Sequence, residues 1–523
     1  MIFFTLLGCA ALKYTPFKEE YFFAPVMGVA VVSVSIIPFY FVFPLKQLSS
    51  MVLLLLLCAW AWLFRPRVKW KQQYLGGIKG LIFLAVILAG ITAMGAMPKL
   101  GYQTIRISTP LMDHAKILII DTLLNEGIPL KNPFVWVSGV SDTLSYYYLW
   151  YLLAAFLASC LGISAWETDI ALTATTSLVS LFFMMGCIDL LCTEREKKRA
   201  IIWLLLLCLA GSLFSALCVV VSRNSLSWLI LDAHGLELWF EQASWVPQHV
   251  LASTLVCMGL LITSTYATQS HNISLRDLIF PSFCLAAAFG MSAWVGGVAT
   301  AVSAICLFVL NCLQNSARFI QVLKCWSVVA ICSLIIAFPL LVTEIGAVSH
   351  AHQHAVGIHP WNVIRRYSKY YLFNLLAYWT IFLPIQIGAV FLPFVFFVKK
   401  IWNRKNPYAS TLVTISVASL CISWLMRSQI ANNDLGWRAI IPAILCMSVV
   451  SSVSLSRFRG AVSVILLSFL VGISLLGNIG GLIKANILGN TSRVNINNFP
   501  SSDFWKAIND NTNKKAQKKI RNM

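Results

Sequence analysis

Runs of about twenty apolar residues recur along this chain, and a run of that length matches the hydrocarbon thickness of a bilayer. Inside lipid no water satisfies backbone N–H and C=O groups, so each such run has to pair its own backbone as a helix. With 59% hydrophobic and 11% charged residues and a mean hydropathy of +0.79, the expected fold class is an all-α polytopic membrane protein. Apolar runs fall at 2–12, 21–44, 50–64 and 78–97, then near 168–192, 199–221, 250–266, 278–292, 295–313, 325–347, 371–398, 409–426, 437–455 and 461–484. They predict a bundle of about 11–14 transmembrane helices.

A net charge of +20 suggests nucleic acid at first, but the basic residues are dispersed over short inter-helix loops, and no nucleic-acid partner is expected. Twenty of the 39 Lys and Arg lie in the loops 13–20, 65–79, 193–199, 267–277, 314–324, 399–408 and 456–460, which the positive-inside rule makes cytoplasmic. These loops agree with one another only if 145–161, SYYYLWYLLAAFLASCL, does not cross the bilayer. It is therefore expected as an interfacial helix in the first large outer loop, where Tyr and Trp rings concentrate. The chain is expected in a bacterial inner (plasma) membrane, in contact with membrane lipids. The basic tail from Lys484, with Lys514, Lys515, Lys518 and Lys519, then emerges on the outer side and strains the rule.

All fifteen Cys lie in or beside apolar runs with no CxxC pair, which reads as packing and not as a disulfide framework. Segment 2–12 lacks a basic n-region and a clear cleavage site, so it is expected to be retained. Three regions follow: N-terminal hydrophobic helices (1–77), a transmembrane domain (78–484) with outer-face loops 98–167, 222–249, 348–370 and 427–436, and a polar basic tail (485–523).

The longest break between apolar runs, Met97 to Trp150, carries Asp113, His114, Asp121, Glu126 and Asp142. Orientation rests on Lys and Arg alone, yet seven of the eight His fall on the same outer side, together with Asp232, Glu237, Glu241, Glu344 and Asp434. A polar site at the outer surface is the expectation.

Its candidate catalytic residues are Asp113 and His114, where the chain leaves a membrane helix and low dielectric tunes a carboxylate as a base. The competing reading makes Thr109 or Asp113 a plain helix cap. Candidate substrate-binding residues are Asp142, Tyr147, Gln248, His249, Arg365, Arg366, Asp434 and Arg438. Gln248 and His249 follow a helix-starting Pro247. Arg365 and Arg366 offer guanidinium forks that match phosphate oxygens. Asp434 and Arg438 are an i,i+4 pair, one turn before Pro442. His350, His352 and His354 alternate as extended-chain metal ligands do, which leaves a divalent metal ion as a possible cofactor.

Asp113 in an outward loop after a spanning helix, a helix ending in NEGIP and Asn132-Pro133, and a Tyr-rich segment before the next span together resemble the GT-C superfamily of membrane glycosyltransferases, such as protein mannosyltransferases and aminoarabinose transferases. The likeness is in layout over about 78–484, with local motif similarity around 113–150 and 432–442. It implies a polyprenyl-phosphate sugar as donor, a lipid, glycan or protein as acceptor, Asp113 as base or metal-linked carboxylate, and Arg438, Arg365 and Arg366 on the donor phosphate. His114 departs from the second acidic residue of many members, three extra apolar segments precede the family's first helix, and WWDYG is absent. Two other readings stand beside it: a transporter or flippase of a charged or lipid-linked solute, and a non-catalytic scaffold with the same layout.

Overall fold

The computed structural model describes residues 1–64, 77–97, 99–101, 104–107, 110–133, 143–144, 146–214, 236–269, 273–349, 356–358, 361, 363, 369–402, 406–428, 434–457, 471–476, 478 and 492–495. Among these, nine helices are long and apolar enough to cross a membrane, and the chain is a multi-pass helical membrane protein.

The N-terminal helices are α1 (Ile2–Leu12), α2 (Ala24–Val42) and α3 (Gln47–Phe64), followed by α4 (Lys79–Ala93). Next come α5 (Pro110–Glu126), α6 (Leu149–Leu161), α7 (Ala165–Leu191) and α8 (Glu194–Leu209). The short α9 (Trp239–Trp245) leads into α10 (Pro247–Thr268) and α11 (Leu275–Met291). A π-helical turn at Ala293–Ala299 reverses the chain into α12 (Thr300–Gln314), followed by α13 (Phe319–Ser349). The rest are α14 (Tyr371–Ala377), α15 (Leu383–Ile401), α16 (Pro407–Leu425), α17 (Asp434–Arg438) and α18 (Ile441–Arg457).

Local sequence sets these boundaries. Ser164 and Glu167 form a capping box that starts α7, satisfying N–H groups the helix cannot pair itself. Helix α5 stops where Gly127 takes φ 76°, the left-handed conformation that ends helices. At the π-helical turn, a Cβ on Gly296 would lie 2.2 Å from the backbone of Ala288, so the reversal needs glycine.

Among the described residues, six of the seven basic loops meet at one end of the bundle. Tyr266 Oη donates to Tyr14 O at 3.0 Å, Gln321 Nε2 to Gln269 O at 2.9 Å, and Arg457 Nε lies 3.2 Å from Glu196. Phe17 packs on Tyr408 with centroids 5.8 Å apart. Loops that charge alone groups together are thus neighbours in space.

At the opposite end, strands β1 (Lys99–Gly101) and β2 (Thr104–Ile107) form a sheet. Strands β3 (Val356–Ile358) and β4 (Met426–Ser428) pair antiparallel and join two loops there. Strand β5 (Ser492–Asn495) pairs with β2, which puts this piece of the tail beside that sheet.

The Tyr-rich segment is closely packed: α6 contacts α2, α3, α7 and α11, with Leu149 through Phe156 all 2% exposed or less. Trp150 Nε1 donates to Thr176 Oγ1 of α7 at 3.1 Å. An indole anchored on a hydroxyl in this way gains both burial and its hydrogen bond.

The extra N-terminal helices are part of the same core. A Cβ on Gly8 would meet Ala24 O at 1.6 Å, and one on Gly28 would meet Phe4 O at 1.8 Å, so α1 and α2 pack backbone to backbone. The fourteen described cysteines are free thiols.

Candidate active site

Two elements that do not cross the membrane build the site: the segment entering α6, and α9. Trp150 of the first bonds Thr176, and Trp239 Nε1 of the second donates to Ser180 Oγ at 2.9 Å. The two hydroxyls are four residues apart, on one face of α7. One transmembrane helix therefore fixes the depth of both elements.

On the first element, Tyr147 is 7% exposed and His249 1%. Tyr147 Oη is 3.3 Å from His249 Nε2, and His249 Nδ1 is 2.8 Å from Ser292 Oγ. Ser292 also accepts the N–H of Val295 at 3.1 Å, starting the π-helical turn. Both ring nitrogens of His249 are engaged, so His249 orients Tyr147 and does not present a free nitrogen. Burial holds the Tyr147 hydroxyl well above the usual tyrosine range, with Tyr146 and the Asp434 carboxylate adding to the rise and Arg438 opposing it. It is therefore a neutral hydrogen-bonding group.

On the second element, α9 presents Gln242 and Trp245 one turn apart. Arg438 Nη1 lies 3.5 Å from Gln242 Oε1, and its guanidinium carbon sits 4.8 Å from the centre of the Trp245 ring. The expected pair is present: Arg438 Nη2 is 3.5 Å from Asp434 Oδ1. Arg438 is 5% exposed, and its Nε has no hydrogen-bond partner among the described residues. The Oε1 of Gln248, 4% exposed, is unpartnered too. Buried polar atoms left unpaired carry a desolvation penalty, which a bound ligand relieves. Nearby in α9's approach, burial first and the Glu241 carboxylate second push Glu237 well above the usual carboxylate range.

The structure thus brings Tyr147, His249, Asp434 and Arg438 into one constellation, with Gln248 next to His249. Asp113 and His114 fall in the first turn of α5, inside the helix, so Asp113 is not its N-cap; their side chains lie outside the described residues. Asp142, Arg365, Arg366, His350, His352 and His354 also lie outside them. Among the described residues, no group of three or more His, Cys, Asp or Glu is placed to hold a metal.

Sequence reasoning missed Gln242, Trp245 and Ser292, which hold the site together. It also missed a buried ion pair one turn from Asp113: Lys116 Nζ lies 3.8 Å from Asp169 Oδ1, side chains 5% and 0% exposed. Asp169 had a legible signal, a carboxylate four residues into a long apolar run, where charge is costly and seldom idle. Gln242 and Trp245 had none, because their partner Arg438 is far along the chain, 196 residues from Gln242.

No family model matches the chain. Over 514 residues it is 27% identical to y4nK of Sinorhizobium fredii, a protein described as uncharacterized, covering 94% of this chain and 75% of that one. Among solved structures it is similar to ArnT from Cupriavidus metallidurans in the apo state, with a TM-score of 0.46 and 14% identity over 82% of this chain and 68% of that chain. The same protein bound to undecaprenyl phosphate gives 0.43 and 13% over 79% and 76%. The oligosaccharyltransferase of Archaeoglobus fulgidus gives 0.42 and 8% over 80% and 57%.

Proposed function

We propose that the chain is an integral membrane glycosyltransferase that moves a sugar from a polyprenyl-phosphate-linked donor to an acceptor at the extracytoplasmic face. The observation that carries this reading is Arg438, buried at the end of the bundle away from the basic loops, stacked on Trp245, with Nε unpaired. A desolvated guanidinium presenting a free N–H is suited to a phosphate oxygen.

On this reading Asp113 takes the proton of the acceptor hydroxyl as that oxygen attacks the anomeric carbon. The bond from that carbon to the phosphate oxygen breaks, and its electron pair leaves with the polyprenyl phosphate. Arg438 stabilises the charge that develops there, the electrostatic contribution that is usually the largest. The acceptor is a lipid, glycan or protein hydroxyl.

The test uses full-length protein in lipid nanodiscs, with undecaprenyl phosphate and undecaprenol as paired probes and a radiolabelled polyprenyl-phosphate sugar pool for transfer. The wild type should prefer the phosphate, Arg438→Gln should lose that preference, and Asp113→Asn should keep it while losing transfer. Equal binding of both probes by the wild type ends the proposal. Solute movement into sealed vesicles without any acceptor would point instead to a carrier.

A further inference from the structure

At the basic end of the bundle, α10, α12 and α16 wall a cavity of about 540 Å³, with Thr268, Gln269, Leu310, Leu313, Gln314 and Pro407 in its lining. The three helices are tied together one turn further in. Ser264 Oγ of α10 donates to Asn311 Oδ1 of α12 at 3.3 Å and accepts from Thr411 Oγ1 of α16 at 2.9 Å. All three of these side chains are buried, so the cavity is held open by a fixed frame.

Most polar groups at the cavity are satisfied within the protein. Thr268 Oγ1 donates to Thr265 O at 3.0 Å, and Asn315 Nδ2, also in the lining, donates to Asn311 O at 3.3 Å. Gln314 Nε2 is the exception: it is buried and has no hydrogen-bond partner among the described residues. An amide N–H deprived of both water and a partner costs about 1–3 kcal/mol, and an acceptor oxygen in the cavity removes that cost.

Two further features say what carries the oxygen. Along α12, Ile305, Val309 and Leu313 are 63%, 49% and 77% exposed and stand one turn apart on one face. On a membrane-spanning helix such a stripe lies against acyl chains, and its last member, Leu313, is also part of the cavity wall. The cavity therefore opens where hydrocarbon meets the headgroup layer. Around it, the loops 267–277, 314–324 and 399–408 carry Arg276, Arg318, Lys324 and Lys399, and Asp277 is their one acidic residue. That carboxylate is spent on Ser274, whose N–H it accepts at 2.9 Å. Basic residues at this level attract anionic headgroups by about 1 kcal/mol each.

We propose that this cavity is a binding site for an anionic glycerophospholipid of the leaflet at the basic end. A phosphate oxygen of the headgroup accepts from Gln314 Nε2, the acyl chains lie along the α12 stripe, and the surrounding loops supply the attraction. The site is at the opposite end of the bundle from Arg438, and it stands whether or not the proposed function does.

The experiment measures lipid retention on delipidated full-length protein by native mass spectrometry, with phosphatidylglycerol, phosphatidylethanolamine and diacylglycerol of identical chains as probes. The wild type should hold phosphatidylglycerol most tightly and diacylglycerol least, and excess glycerol 3-phosphate, which has the head without the chains, should not displace the lipid. Gln314→Leu should weaken phosphatidylglycerol by about tenfold, the size of a hydrogen bond to a charged group, and leave diacylglycerol unchanged. Gln314→Glu, which replaces the donor by a negative acceptor of the same shape, should weaken it further, whereas Gln47→Leu, at an exposed position of α3, should match the wild type. Equal retention of phosphatidylglycerol and diacylglycerol, or a Gln314→Glu variant that keeps the wild-type preference, overturns the proposal. Equal retention of phosphatidylglycerol and phosphatidylethanolamine overturns the anionic assignment, and displacement by glycerol 3-phosphate overturns the lipid as occupant.

Discussion

Arg438 and Trp245 are stacked, the guanidinium carbon 4.8 Å from the ring centre, and the contact fixes the plane in which the cation can donate. Asp434 and Gln242 hold two of its nitrogens from the edges. Lysine supplies the charge but neither the planar fork nor the stack. Arg438→Lys is therefore expected to bind undecaprenyl phosphate about tenfold more weakly than the wild type, and Arg438→Gln more weakly still. Titration in nanodiscs measures both; a lysine variant indistinguishable from the wild type would mean that charge alone suffices.

Lys116 and Asp169 form an ion pair with almost no solvent contact. Removing one partner of such a pair strands a charge and costs about 3–5 kcal/mol, whereas replacing both by apolar groups is often neutral. Lys116→Met and Asp169→Leu should each lower the thermal midpoint of the purified protein substantially, and the double variant should recover most of the loss. Additive losses would show that the two side chains are not coupled.

How far the sequence reaches follows from the range of each interaction. Helix α10 announces itself by an apolar run and Pro247, and α5 by Gly127, because both signals are local. The grouping of the loops is legible because Lys and Arg concentrate in short loops on one side of a membrane protein, and six of those loops meet at one end. The packing of Trp150 is not legible, because the hydroxyl that anchors it belongs to Thr176, 26 residues away. At the site, Arg438 with Asp434 is a short-range pair and was found. Ser292, Gln242 and Trp245 act only through folded contacts.

Helices α1 and α2 meet without a side chain between them at Gly8 and Gly28. Any Cβ there forces backbone apart, and overpacking of this kind costs about 1–3 kcal/mol or more. Gly8→Ala and Gly28→Ala should each lower the thermal midpoint, whereas Gly80→Ala, with open space around it, should not. Equal midpoints in all three would mean that the N-terminal helices contribute little to the stability of the bundle.

The N-terminal helices also supply a titration at the basic end. Glu20 is pushed from the ordinary value of 4.5 up to about 8, first by burial, then by its hydrogen bond to Asp189 and the charge of that carboxylate, with Lys197 pulling the other way and Glu19 adding a little. Lys197 is itself held between Asp189 and Glu194, and Tyr408 and the Cys187 thiol also feel the charge of Glu20. Between the two values the folded chain holds a proton that the unfolded chain has released. Raising the pH there favours unfolding. The stabilisation is fully present below about 4.5 and is lost as the pH climbs through about 8. The thermal midpoint of the full-length protein in detergent should therefore fall between about pH 6 and about pH 9. Glu20→Gln is close in size to a protonated glutamate and has no ionisable proton, so its midpoint should stay nearly level over the same range. A wild type and a Glu20→Gln variant that decline in parallel would place the responsible group elsewhere.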